Sequence, residues 1–199
     1  DICEVNGRIW VYGYKKGHII HELSSNLEYI ERSGGDLSAY ESETIQDIAR
    51  DGTIACTENY IYSAFMHDNT VHLYSQSDLS LSDQILFEGI APIQYTTVEH
   101  EGGQATDLSY YQGTAYNVKG NYHDVIRNLI VAETVILAQY NRHYQDYKPI
   151  SPDLISFIVE PRNHTYKLFD DYPYVNDFNN GNYLTIIQDS VTSIVNRKR

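Results

Sequence analysis

Residues 121–147 read NYHDVIRNLIVAETVILAQYNRHYQDY, the longest stretch of the chain with regularly spaced apolar side chains. One stripe at helical spacing contains Val125, Leu129, Ala132, Ile136 and Tyr140. Pro149 and Pro152 follow, and proline ends helices because it lacks the amide hydrogen that the helix needs. The spacing therefore predicts a long helix over residues 121–147.

Shorter strand and helix signals surround this stretch. Strands are predicted at residues 9–12, 53–57, 92–98 and 154–159, with weaker ones at 71–74 and 84–87, and a last apolar segment lies at 183–187. Two short helices are predicted at 24–32, ended by Gly34 and Gly35, and at 37–51. Residues 102–120 and 170–182 are rich in Gly, Tyr, Asn and Asp and predict loops, and no internal repeat is visible. Mixed strands and helices without regular alternation predict an α+β fold.

Composition excludes several classes of function. The 199 residues carry 14 Lys and Arg against 27 Asp and Glu, a formal net charge of −13. An excess of negative charge repels nucleic acid and anionic membrane surfaces. No stretch approaches the roughly 20 apolar residues that a transmembrane helix requires. We expect a single domain over residues 1–199, with a basic, frayed tail at 196–199.

Cys3 and Cys56 are the only cysteines, and an even pair in this chain favours one disulfide in a secreted protein. Two buried thiols in a cytosolic protein are the alternative. The chain opens at Asp1 without Met, which predicts a mature form that has lost an N-terminal segment. Asn163 lies in the sequence Asn-His-Thr and is a candidate glycosylation site.

Two groups of residues are candidate metal ligands. His18 and His21 lie three residues apart and could ligate a metal on a helix, although two surface histidines are the favoured interpretation. Asp170, Asp171 and Asp177 could hold calcium, but their spacing matches no calcium loop, and a polar surface loop is favoured. We therefore predict no metal site.

Two further segments could carry function. Glu99 and Glu101 would face the same side of a strand, as acid–base chemistry requires, although a solvated acidic turn is favoured. Residues 107–122 concentrate Tyr and Gly, which is typical of adaptable contact surfaces and equally of a loop held down by its own tyrosines.

Three blocks in order resemble ADP-ribosyltransferases of the pertussis-toxin and cholera-toxin type. Residues 9–14, Ile-Trp-Val-Tyr-Gly-Tyr, resemble the first strand of that family, which reads Val-Tyr-Arg-x-Asp. Residues 52–57, Gly-Thr-Ile-Ala-Cys-Thr, are similar to the Gly-x-Val-Ser-Thr-Ser strand, with residues 30–35 between the two blocks. Residues 137–155 are similar to the loop of the catalytic glutamate. The resemblance implies an ADP-ribosyltransferase-like fold with two small mixed or antiparallel sheets and peripheral helices.

The resemblance also implies that the catalytic residues are replaced. Gly13 stands for the arginine that binds the NAD phosphates, and Thr57 alone keeps a hydroxyl of the Ser-Thr-Ser triplet. His143 stands for the catalytic glutamate and Asn141 for the residue that orients the acceptor. A histidine cannot stabilise the cationic ribose of the transition state as a carboxylate does. In the fold of that family the strand at Cys56 lies near the N-terminal strand, which implies a Cys3–Cys56 bridge.

Three hypotheses follow from these residues. The favoured one is a secreted, toxin- or effector-like protein that is catalytically inactive, needs no cofactor and binds a protein of a host or target cell. The second is an active enzyme that uses NAD, with Glu99 or Glu101 supplying the carboxylate. The third is an unrelated secreted binding domain.

Overall fold

The computed structural model describes most of the chain as β-strands. Described are residues 1–37, 50–92, 95–97, 108–111, 114–118, 123–132, 135–145, 148–149, 154–160, 163–169, 177–179, 182–188 and 192–198, several of them by backbone alone. These residues form nineteen strands and contain no α-helix. The predicted α+β fold with peripheral helices is therefore wrong for the part of the chain that is described.

The first sheet is an antiparallel meander of four strands, β1 to β4, at Ile2–Val5, Arg8–Lys15, His18–Leu23 and Tyr29–Asp36. Two-residue turns close its first two hairpins. Asn6 and Gly7 have φ of 53° and 71°, and Lys16 and Gly17 have φ of 52° and 85°. Positive φ at both central residues matches the right-handed twist of the flanking strands, and glycine adopts it without steric cost. The predicted helix at 24–32 is wrong, because β4 occupies its second half.

The second sheet repeats the first one along the chain. Its strands are β5 to β8, at Gly52–Cys56, Tyr60–Phe65, Thr70–Ser75 and Leu81–Leu86, again in meander order. Strands β6, β7 and β8 begin 52 residues after β2, β3 and β4, at Tyr60, Thr70 and Leu81 against Arg8, His18 and Tyr29. The structure thus contains a repeat that the sequence analysis did not find. The predicted helix at 37–51 lies almost wholly outside the described residues.

A long sheet occupies the stretch predicted as a helix. Its main strands are β12 (His123–Ala132), β13 (Val135–Gln145), β15 (Leu154–Glu160) and β16 (Thr165–Phe169), and β14 (Lys148–Pro149) adds to β13. The side chains described in β12 and β13, at residues 124–132 and 135–141, are largely buried on both faces. Apolar residues are therefore nearly continuous there and also satisfy a helical spacing. Two register shifts in β12 blur the alternation further. The prediction of a helix over 121–147 is therefore wrong.

Two three-stranded sheets complete the described chain. One contains β9 (Tyr95–Thr97), β10 (Leu108–Tyr111) and β11 (Thr114–Val118), partly within the predicted loop at 102–120. The other contains β17 (Asp177–Asn179), β18 (Asn182–Gln188) and β19 (Thr192–Lys198). Most of the basic tail, predicted to fray, lies in β19 and pairs with β18.

The second sheet packs between the first sheet and the long sheet. One of its faces contributes Ile54, Ile61 and Tyr74 to a core with the first sheet. The other face contributes Tyr62, Leu73 and Phe87 to a core with the long sheet. The first strands of the three sheets are neighbours, β1 beside β5 and β5 beside β12. Four-stranded sheets stacked in this way resemble successive blades of a β-propeller.

Candidate ligand-binding cleft

A cavity with a volume of about 540 Å³ opens between the first and second sheets. It lies away from the first strands, between β4 on one side and β7 and β8 on the other. Its lining residues are His18, Ser33, Gly34, Gly35, Asp36, Leu37, Phe65, His72, Tyr74, Leu79, Leu81 and Gln84. A cavity of this size suits a small organic ligand.

Two glycines shape the wall of the cleft that β4 provides. A Cβ on Gly34 would lie 2.7 Å from the Leu79 Cβ and 3.0 Å from the Leu79 carbonyl oxygen. Gly35 has a φ of +67°, and a Cβ there would lie 2.5 Å from Ile19 Cγ1. The first sheet therefore approaches Leu79 closely because Gly34 lacks a side chain, whereas the absence of a side chain at Gly35 makes room for Ile19 of the neighbouring strand β3.

His72 forms the floor of the cleft on β7 and is only 5% exposed. Its ring is tilted against Phe65, with centroids 5.0 Å apart, and stacked near Tyr74 at 6.5 Å. Burial lowers the pKa of His72 from 6.5 to about 4, because the charged imidazolium loses its hydration. The ring is therefore neutral at pH 7 and can donate one hydrogen bond and accept another.

The Nδ1 atom of His72 is buried and has no hydrogen-bond partner among the described residues. Ser63 lies directly opposite on β6, is fully buried, and its Oγ likewise has none. Most buried polar groups in proteins are paired, so two unpaired atoms on cross-strand neighbours mark an unusual polar spot behind the wall of the cleft.

Polar groups lie at the rim of the cleft. His18 and Asp36 face each other as paired residues of β3 and β4. Gln84, on β8, lies at the other side beside the half-exposed Leu81. The described lining residues include one carboxylate and neither Lys nor Arg. The described lining thus combines Asp36, which already has an interaction partner within the protein, with aromatic and aliphatic side chains.

A network of charges near the cleft fastens the first sheet to the second. Arg8 donates to Glu22 through Nε at 2.8 Å and Nη2 at 3.0 Å, and Arg32 Nη1 donates to Glu22 at 3.1 Å. Both guanidinium groups lie over the buried ring of Trp10, and both donate to the Gln76 carbonyl of the second sheet. The hydrogen bond from Arg8 is the main reason why the pKa of Glu22 is lowered.

A disulfide joins the same two sheets near their first strands. Cys3 on β1 and Cys56 on β5 are bonded, with their Cα atoms 5.9 Å apart. The predicted disulfide is confirmed. Together with the charge network, it ties the two sheets that form the cleft at points outside the cleft itself.

A second cavity, of about 260 Å³, lies where β1, β5 and β12 meet. The carboxylate of Asp1, which lines it, already accepts hydrogen bonds from Thr53 Oγ1 and the Ile54 amide. None of the buried polar atoms without a partner among the described residues belongs to its lining. The larger cleft is therefore the stronger candidate site.

Two of the positions singled out by the family resemblance lie in or beside the first two sheets. Gly13 lies in β2, and its neighbour Tyr12 reaches Gly52 at the start of β5. Thr57 follows the opposite end of β5 and donates to the Tyr60 carbonyl at 3.4 Å.

The remaining resemblance positions lie on β13 of the long sheet. Asn141 is half-buried, and with its amide oriented to suit its neighbours its oxygen accepts from Arg127 Nε at 2.7 Å. His143 is described by its backbone alone. Glu99 and Glu101 lie outside the described residues.

The histidine pair and the glycosylation site are described. His21 is buried and bonds the carbonyl of Gly13 at 2.8 Å, whereas His18 is at the rim of the cleft. In the described ranges no group of three His, Cys, Asp or Glu side chains is arranged to hold a metal.

Asn163 is exposed in the turn before β16, and its side-chain oxygen accepts from Thr165 Oγ1 at 2.8 Å. Of the proposed calcium ligands, Asp170 and Asp171 lie outside the described residues, and Asp177 is described by its backbone alone.

No family model matches this chain, and no curated protein matches it. Among the described residues there is also no helix with the length and apolar character needed to cross a membrane.

Sequence reasoning missed His72, Gly34 and Gly35 as parts of a site. The glycines were assigned to the end of a helix, and His72 stood unnoticed within a predicted strand, Val71-His72-Leu73-Tyr74. The signal was present, because a histidine between apolar residues of a buried strand is a polar group that needs a partner.

Proposed function

We propose that this protein is a binding protein that holds a small ligand in the cleft between its first and second sheets. The observation that carries the proposal is the cleft of about 540 Å³, whose lining includes the largely buried imidazole of His72 between aromatic side chains. A ligand that bonds to this ring gains a net contribution of about 0.5–1.5 kcal/mol from the hydrogen bond.

Binding suits the cleft better than catalysis by His72. A general base works best when its pKa lies near the working pH, whereas the pKa of His72 is about 4. A neutral imidazole fixed between Phe65 and Tyr74 is a rigid hydrogen-bonding group, which favours selective recognition.

The proposal includes a secreted, oxidising environment. The Cys3–Cys56 disulfide supports it, because such bonds persist mainly outside the cytosol. A secreted binding domain was the third hypothesis from the sequence. The partner-binding, toxin-like hypothesis and the NAD-dependent alternative with Glu99 or Glu101 stay predictions, although the α+β fold with peripheral helices that the resemblance implied is wrong for the described residues. Transfer from labelled NAD to a cell lysate, with Glu99→Gln and Glu101→Gln as controls, tests the enzymatic alternative.

A fragment screen by ligand-observed NMR tests the proposal. We expect fragments that bind the wild type but bind His72→Phe at least tenfold more weakly, because the aromatic volume is kept while the hydrogen bond is lost. His21→Phe is the matched control, since His21 is also buried with an unpaired Nδ1 but does not line the cleft. Fragments that bind the wild type and His72→Phe equally well, or the absence of any binding fragment, would contradict the proposal.

A further inference from the structure

We propose that the outer face of the first sheet is a self-association surface, through which two copies of this chain pack face to face. The outer face is defined by Ile2, Ile9, Val11 and Leu23, which lie on β1, β2 and β3. It points away from the second sheet and therefore away from the cleft, so self-association does not depend on the ligand proposed above.

The alternation of side chains along β2 assigns these residues to the outer face. Trp10 lies in the core between the first and second sheets, so Ile9 and Val11 on either side of it point away from that core. Directly opposite residues of antiparallel strands share a face. Ile2 is the register partner of Val11, and Leu23 is the register partner of Ile9. The four aliphatic side chains therefore form one continuous surface across three strands.

The equivalent positions of the second sheet form an established interface. The register pair Ile2–Val11 recurs one repeat later as Ile54–Ser63. Ile54 and Ser63 are 2% and 0% exposed, and Ile54 lies in the core shared with the first sheet. Ile2, by contrast, is 56% exposed, and Val11 is half-buried. The face by which one repeat is covered by a neighbouring sheet thus recurs on the first sheet with its aliphatic side chains accessible.

A second copy of the chain is the occupant that this face fits. Two antiparallel sheets pack about 10 Å apart with apolar side chains between them, as the first and second sheets of this protein do. The same aliphatic face on a second copy supplies a matching surface of equal size. Contacts of this isologous kind close a dimer, which is the commonest symmetric oligomer.

Charge makes the association depend on ionic strength. Glu4 is the register partner of Ile9, so its carboxylate lies on the outer face, and it is exposed. A face-to-face dimer brings the two copies of Glu4 towards each other, and each chain carries a net charge of −13. Like charges repel, and salt screens this repulsion between exposed groups. We therefore expect the dimer to form more readily at high salt.

Sedimentation analysis of the full chain between about 10 µM and 1 mM measures the association. We expect the wild type to shift from monomer towards dimer over this range, and to associate at least tenfold more tightly in about 0.5 M than in about 0.05 M NaCl. Glu4→Gln should strengthen association at low salt. Val11→Lys and Ile2→Lys should each weaken it at least tenfold, and Ile2 is exposed enough to accept lysine without loss of the fold. Leu86→Lys, at a leucine that is 59% exposed on the second sheet, is the control with the same change in charge.

Three results would overturn the proposal. The first is a wild type that stays monomeric at the highest concentration in high salt. The second is a dimer that Ile2→Lys weakens no more than Leu86→Lys does, because association would then use another surface. The third is growth beyond the dimer with rising concentration, which indicates a head-to-tail contact rather than two identical faces.

Discussion

Cys3 and Cys56 join strands β1 and β5 across 53 residues, with their Cα atoms 5.9 Å apart. The bond links the first strands of the two repeated sheets, so it closes one end of the inter-sheet core while the cleft opens elsewhere. It constrains the unfolded chain by closing a long loop, and the chain-entropy estimate for this separation is about 4 kcal/mol.

We expect the Cys3→Ser/Cys56→Ser double variant to be less stable than the wild type by about that amount in urea denaturation. Reductant should lower the stability of the wild type and leave the double variant unchanged. Two free thiols in non-reducing mass analysis, or equal stability of the two proteins, would show that the bond does not form or does not matter.

Glu22→Gln should destabilise the protein by about 1–3 kcal/mol, because it leaves two guanidinium groups over Trp10 without their carboxylate. The pKa of Glu22 is lowered, chiefly by the hydrogen bond from Arg8. The folded state therefore favours the ionised form. The stabilisation is present above the ordinary pKa of 4.5 and is lost as the pH falls below it. Denaturation at pH 7 and pH 3, with Glu58→Gln as the exposed control, measures both effects.

His72 should make stability depend on pH in a different window. The pKa of His72 is about 4 in the folded protein, below its ordinary value of 6.5. Between these two pH values His72 is therefore protonated in the unfolded chain and neutral in the folded one. Stability is full above pH 6.5 and falls as the pH drops towards 4. Between pH 7 and pH 4.5 the loss is on the order of 2–3 kcal/mol.

The difference in stability between the wild type and His72→Phe isolates this contribution, because the other titrating groups are shared. Between pH 7 and pH 4.5, we expect the free energy of unfolding of His72→Phe to rise by that amount relative to that of the wild type. A difference that stays constant with pH would show that His72 is hydrated or paired in solution.

Gly34→Ala should destabilise the protein by about 1–3 kcal/mol, since the new Cβ would overlap Leu79 and force the two sheets apart. Gly13→Ala is the matched control, because a Cβ at Gly13 meets nothing within 4 Å. We expect that control to lie within about 1 kcal/mol of the wild type. Equal melting temperatures for the two variants would contradict the close approach of β4 to Leu79.

Asn163 should carry a glycan when the chain is expressed through a eukaryotic secretory pathway, because it is exposed in a turn. Intact mass before and after enzymatic deglycosylation measures this. Asn163→Gln should remove the added mass, and an unmodified wild type would refute the assignment.

Several strands were predictable because their residues are β-branched or aromatic and bounded by turn residues. Residues 9–12, 71–74 and 154–159 lie in β2, β7 and β15 as expected. The turns Asn6-Gly7 and Lys16-Gly17 also carry a hairpin signal, which the sequence analysis did not use. The 52-residue repeat escaped notice because its two copies share a pattern of strands rather than identical residues.

The amino-acid sequence by itself determined the strand-forming segments, the glycine turns and the only pair of cysteines able to bond, since these depend on local backbone preferences and residue counts. Tertiary structure decided whether residues 121–147 form a helix or two strands, because burial on both faces makes the apolar pattern ambiguous. It also decided the cleft, whose walls come from segments up to 66 residues apart, from His18 to Gln84. No local pattern specifies that His72 loses its hydration or that Asp36 faces the same space, because both depend on how one sheet packs against the other.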